Sequence, residues 1–181
     1  MIKEFEKYAG FRVLRLFIFN PGAEMYIKEV AKKLNISPST AKFNCDLFLK
    51  EGFFNVAEKG NLKIFSLDNG SVYVRELKRL FALLAFREAG IERMLKGGMS
   101  LAIYGSHASG EFNEDSDVDI IIIGAEKQAD RGFILSFEKK TGKQVQLTVI
   151  PYHKWEMMKR RRDVFASEVL RNHILIKGAE L

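Results

Sequence analysis

One stretch constrains the fold of this chain more than any other. It is Tyr104-Gly105-Ser106-His107-Ala108-Ser109-Gly110-Glu111-Phe112-Asn113-Glu114-Asp115-Ser116-Asp117-Val118-Asp119-Ile120. An apolar run, Ser100–Tyr104, reads as a short strand that ends in Gly-Ser. A polar loop follows. The next strand opens with Asp-x-Asp and continues as Val118–Ile123, a β-branched run typical of a sheet covered on both faces. Strand side chains alternate, so Asp117 and Asp119 share one face. Two carboxylates beside a glycine turn suit a Mg²⁺ ion (or Mn²⁺) next to a phosphate cradle. In that arrangement the Gly105–Ser106 backbone and the Ser106 hydroxyl hold a triphosphate, the chemistry of metal-assisted nucleotidyl transfer.

The surrounding pattern alternates strand and helix. Residues 126–140 suit a helix, Val145–Ile150 a third strand, and residues 151–172 a second helix before the apolar tail His173–Ile176. An α/β domain with a mixed sheet is expected over residues 98–181.

These residues resemble the DNA polymerase β-type nucleotidyltransferases, and most closely the minimal nucleotidyltransferases that partner HEPN toxins in prokaryotic toxin–antitoxin pairs. The motif is Gly-Ser, ten residues, then Asp-x-Asp, and Gly105-Ser106 and Asp117-Val118-Asp119 fit it without a gap. Ala108, Gly110 and Ser116 also match the family pattern. Val164–Leu170 and Ile174–Gly178 are similar to its closing helix and tail. The resemblance implies Asp117 and Asp119 as catalytic metal ligands, and Gly105, Ser106, His107, Gly110 and Ser116 as nucleotide-binding residues. It also implies a nucleoside triphosphate substrate, a HEPN-type toxin as candidate partner, and transfer of AMP from ATP to a protein tyrosine.

The chain departs from that pattern in places. Active members use a third carboxylate on a later strand, and Gln146 stands where it is expected. An amide is no base and is a weak metal ligand. Catalysis is then slow, draws a base from a partner, or is lost, with Glu138 and Glu156 as candidate substitutes. Many relatives carry arginine where this chain has His107 and Ser109. The alternative to an enzyme is therefore a catalytically weak or inactive nucleotidyltransferase-like transcriptional regulator or antitoxin.

Residues 1–70 read as helix, helix, helix, hairpin, the parts of a winged helix-turn-helix. Ile27, Val30, Ala31 and Leu34 form one amphipathic stripe, and Ser37-Pro38 caps and opens the next helix. Ala41, Cys45 and Phe48 give its buried stripe. A turn at Lys59-Gly60-Asn61 joins the two strands of the hairpin. Candidate DNA contacts are Ser37, Ser39, Thr40, Lys42 and Asn44 on the reading helix, and Lys59 and Lys63 on the wing. Protein contact stands beside DNA contact as a reading, because Phe43 lies on the same face. Residues 71–97 read as one connecting helix with heptad-like apolar spacing, a candidate homodimer interface. The layout expected is thus α+β: winged helix, connecting helix, small α/β nucleotidyltransferase domain.

Charge does not choose between these partners. Lys plus Arg is 29 and Asp plus Glu 23, a surplus of 6. Residues 1–70 hold eleven basic and eight acidic residues, so neither part is strongly basic. One basic run stands out, Lys154, Lys159, Arg160, Arg161 and Arg162, with Trp155, Met157 and Met158 interleaved toward a core. Cys45 is the sole cysteine, which excludes an internal disulfide and a cysteine-based zinc site. The sequence has no 18-residue apolar run, and its first residues lack the apolar core of a signal peptide. A reducing cytoplasmic location without membrane contact is expected.

Overall fold

A computed structural model describes residues 2–181, with Met1 outside the described residues. It is a mixed α/β structure with a three-stranded and a four-stranded sheet. The chain divides into two compact units between Phe81 and Ala82. Among the described residues, no helix is long and apolar enough to cross a membrane.

The N-terminal unit begins with α1 (Ile2–Phe5) and α2 (Ala9–Ile18), then β1 (Met25–Tyr26) and α3 (Ile27–Leu34). It continues with α4 (Pro38–Lys50), β2 (Phe54–Lys59) and β3 (Leu62–Leu67). The stop between α3 and α4 is local chemistry. Asn35 adopts φ +50, a left-handed C-cap that asparagine tolerates. Ser37 then caps α4 by accepting the Thr40 N–H at 3.0 Å, with Pro38 in the first turn. β2 and β3 form a tight antiparallel hairpin with Lys59 opposite Leu62, and β1 pairs on the far side of β3. Phe17, Phe54, Phe65, Val30, Ala41 and Cys45 make the core, with Phe17 and Phe54 rings 4.4 Å apart. Burial pushes the Cys45 thiol up to about 12.

The next helix, α5 (Val72–Ala89), is shorter than the apolar spacing suggests. Gly90 takes φ +88 and ends it, and Ile91–Met94 is a separate 3₁₀ turn.

The C-terminal unit is built on β4 (Ser100–Ile103), β5 (Val118–Ile123), β6 (Val145–Ile150) and β7 (Ile174–Gly178), in the order β6-β5-β4-β7. β5 and β6 are parallel, joined across α7 (Arg131–Thr141), and β4 runs antiparallel to both of its neighbours. Between β4 and β5 the chain makes a short helix, α6 (Gly105–Ser109), where the sequence reads as loop.

The expected second helix is broken into α8 (Tyr152–Arg160) and α9 (Val164–Arg171). Arg162 at φ +52 turns the chain there, and Asp163 caps α9 by accepting the Ala166 N–H at 3.1 Å. The apolar tail is not a loose end: as β7 it pairs with β4 through a bulge at Leu101/Ala102.

One face of this sheet carries Ala102, Ile121, Ile123 and Ile150, sealed by Trp155, Ala166 and Val169 from α8 and α9. Met158 packs against that cluster, whereas Met157 is exposed. The alternate β5 residues Val118, Ile120 and Ile122 are fully buried on the other face.

Candidate functional site

Along β5 Asp119, Ile121 and Ile123 share a face, and Asp117, the residue just before the strand, falls at the same alternation. The isoleucines lie in the sealed cluster. Asp117 and Asp119 continue the row at its N-terminal end and are only half-buried. The in-register parallel pairing sets Gln146 beside Asp119, Thr148 beside Ile121 and Ile150 beside Ile123.

The carboxylates are held from several sides. The Gln146 amide donates to Asp117 Oδ2 at 3.1 Å. The Tyr104 N–H donates to the Asp119 carbonyl at 3.0 Å, which ties the end of β4 to β5. The Tyr104 and Thr148 hydroxyls are 3.1 Å apart, and the Tyr104 ring meets Phe165 edge-on.

Gly105 lies closest to Asp119. Its φ is +66, and a Cβ there would stand 2.2 Å from Asp119 Oδ2. Only glycine suits both the backbone and the space. The Asp119 pKa is raised, first by burial and then by the charge of Asp117.

The other expected nucleotide-binding residues have different placements. Ser106 is half-buried in α6, and its carbonyl accepts the Glu111 N–H at 2.9 Å. Gly110 takes φ +78 and ends that helix. Ser116 shapes the loop, accepting the Asn113 N–H at 2.9 Å and donating to Asn113 Oδ1 at 3.0 Å. Lys143 reaches across to the Glu114 carbonyl and fastens the same loop.

His107 is placed differently from the exposed loop residues. It is 2% exposed, its ring stacked 4.5 Å from Phe112 and 5.2 Å from Phe86. The short helix turns His107 inward against these two rings.

The candidate substitutes for a third acid are committed elsewhere. Glu138 accepts the Val145 N–H at 2.8 Å, and Glu156 pairs with Lys159 at 2.6 Å. Among the described residues, no group of three or more His, Cys, Asp or Glu side chains is placed to hold a metal ion. The two aspartates nevertheless fit Mg²⁺ or Mn²⁺ in kind, as hard oxygen donors on one face beside a side-chain-free turn.

Arg160, Arg161 and Arg162 are exposed at the α8–α9 break rather than along one helix. A polar depression of about 390 Å³, lined by Arg87, Glu88, Glu92, Arg93 and Lys140, shares no residue with the carboxylates. Tyr104, Thr148 and Lys143 escaped the sequence reading. The polar alternation Gln146-x-Thr148, which mirrors Asp117-x-Asp119, was the available signal for Thr148.

The residues of the N-terminal unit expected to meet DNA are largely occupied internally. The Ser37 hydroxyl lies 2.8 Å from those of both Ser39 and Thr40. Lys42 pairs with Asp46. Asn44 is the most buried of these residues. It is 7% exposed, donates to the Thr40 carbonyl at 2.8 Å, and its Oδ1 stands 2.8 Å from where a Cβ on Gly10 would be. It packs α4 onto α2. Phe43 is 69% exposed, and Lys59 and Lys63 are exposed on the hairpin.

Residues 89–176 match the family model of the nucleotidyltransferase domain. That match supports nucleotidyl transfer, with a nucleotide substrate, as the general chemistry of this part of the chain. The solved structure of reduced HlyU from Vibrio cholerae N16961 aligns at 19% identity over 40% of this chain and 75% of that one, with a TM-score of 0.35. No curated protein matches the chain.

Proposed function

We propose, from the nucleotidyltransferase match and the carboxylate pair inside it, that the C-terminal unit transfers a nucleotide, AMP from ATP, to a hydroxyl of a protein or nucleic acid. The single observation that carries the reading is the shared face of Asp117 and Asp119 against the side-chain-free Gly105. The acceptor oxygen bonds to the α-phosphorus, the bond to the β-phosphate oxygen breaks, and pyrophosphate leaves. The hydroxyl proton passes to solvent.

Asp117 and Asp119 are the residues that would hold the divalent ion, Mg²⁺ or Mn²⁺. When bound, that ion supplies charge neutralisation at the α-phosphate and the leaving oxygen. Gly105 lets the phosphates approach the backbone, and Ser106 offers a hydroxyl beside it. Tyr104 and Thr148 brace the strand ends that set the two acids. Gln146 holds one carboxylate without adding charge.

A second reading has its own observation. The amide at 146 adds neither a charge nor a base to the face, which favours a weak or inactive relative that acts as a regulator or as an antitoxin against a HEPN-type toxin. In either case the N-terminal unit is a winged helix that binds a partner through α4. The bare Phe43 and the ion-paired Lys42 favour a protein partner over DNA.

The test is label transfer from α-phosphate-labelled nucleotides, with Mg²⁺ or Mn²⁺, to proteins and RNA of the source cell. Transfer by the wild type that Asp119→Asn abolishes supports the enzyme. Equal labelling by the two defeats it.

A further inference from the structure

We propose that Gln146 is a positioning residue that fixes Asp117 and limits the carboxylate face to one divalent ion. The proposal rests on the nucleotidyl-transfer reading of that face. Its ground is the register of two neighbouring strands. β5 and β6 run parallel with Asp119 directly beside Gln146, so the face holds Asp117, Asp119 and Gln146 in one patch. The Gln146 amide nitrogen donates to Asp117 Oδ2 at 3.1 Å.

That bond does two things. It takes one lone-pair direction of the carboxylate and selects its rotamer before any cation arrives. It also fills the place beside the pair with a neutral group, so the patch carries two negative charges. Two charges match one divalent cation. The next side chain along β6 on this face, Thr148, adds only a hydroxyl, and that hydroxyl is shared with Tyr104 at 3.1 Å. Glu138 and Glu156 are bound to the Val145 N–H and to Lys159, so neither comes to the patch. Gln146 itself is exposed on an edge strand, so its exchange does not disturb the core.

The experiment counts Mn²⁺ bound to the full chain by the electron paramagnetic resonance signal of the free ion. Wild type is expected to bind one ion, and Asp119→Asn none. Gln146→Glu is expected to bind a second ion, or to hold the first about tenfold tighter. Gln146→Ala keeps one ion, bound about threefold to tenfold more weakly, because Asp117 is no longer held. Unfolding midpoints confirm that each variant is folded.

If Gln146→Glu matches wild type in both number and affinity, the proposal is overturned while nucleotidyl transfer stands. If wild type binds no Mn²⁺ while Gln146→Glu does, the one-ion proposal and the transfer reading are both overturned. If none of the variants binds, both are overturned.

Discussion

The same face of the four-stranded sheet has two ends of opposite character. At one end Ile121, Ile123 and Ile150 lie under Trp155, Ala166 and Val169, closed to water. At the other, the row continues as Asp117 and Asp119 beside Gln146, with like charges side by side and one of them partly desolvated. A strand's alternation lets one element do both jobs, because the residues differ only in their distance along it. The covered end supplies the stability and the open end draws on it, as expected where a site is held ready for a charged ligand.

Removing bulk at the covered end and removing charge at the open end should therefore have opposite signs. The largest effect is expected from Trp155→Ala, which empties a fully buried site and should destabilise the C-terminal unit by about 3–5 kcal/mol in chemical denaturation. A loss under about 1 kcal/mol would mean the sealed end is not where the unit's stability lies.

Next comes Gly105→Ala, where the two ends of the scale meet. A methyl group at φ +66, and 2.2 Å from Asp119 Oδ2, should cost about 1–2 kcal/mol and displace the carboxylate. Nucleotide transfer and Mn²⁺ binding should fall together. Normal Mn²⁺ affinity in this variant would separate Gly105 from the metal-holding group.

Asp119→Asn should raise the unfolding midpoint slightly while removing transfer, since it relieves burial of a charge beside another, an effect that solvent screening keeps small. The pH dependence follows from the raised pKa of Asp119. Its folded form keeps the proton longer than the unfolded chain does. The stabilisation is thus complete below the usual carboxylate range and fades as pH rises through the folded value. The midpoint difference between Asp119→Asn and wild type should widen with pH across that window. A constant difference would show that Asp119 titrates alike in both states.

The smallest effect is expected at the border. Tyr104→Phe removes one hydroxyl contact with Thr148 that braces the strand ends, and should cost about 0.5–1 kcal/mol with a matching small loss, about twofold, of Mn²⁺ affinity.

Much of this was legible in the residues because the signals are local. The β-branched run Val118–Ile123 and the shared side of Asp117 and Asp119 follow from alternation alone. The Ser37-Pro38 start of α4 is equally local chemistry. What was not legible depended on distant partners or on helix phase. Ile174–Gly178 becomes a strand only because β4, far back in the chain, offers it an edge. His107 sits in a helix too short to show a period, and its rings Phe86 and Phe112 come from either side of it in the chain. Asn44 reads as a polar residue for solvent, yet Gly10 on α2 leaves the hollow that takes it. The break at Arg162 has no glycine to announce a left-handed turn.

The pairing of β7 with β4 also bears on the order in which the molecule can be made. β4 lies between β5 and β7, so one of its edges stays open until residues 174–178 have emerged from the ribosome. Gly178 then enters with φ +100 at a point where a Cβ would stand 1.8 Å from the Met99 carbonyl, and Ser100 bonds the Ala179 carbonyl. During synthesis the strand that leads into the carboxylate turn is thus half-paired, an adhesive edge in a crowded cell. A nascent chain stalled before residue 174 should be the form that aggregates or recruits a chaperone, and pairing of β7 with β4 is the step that ends that exposure.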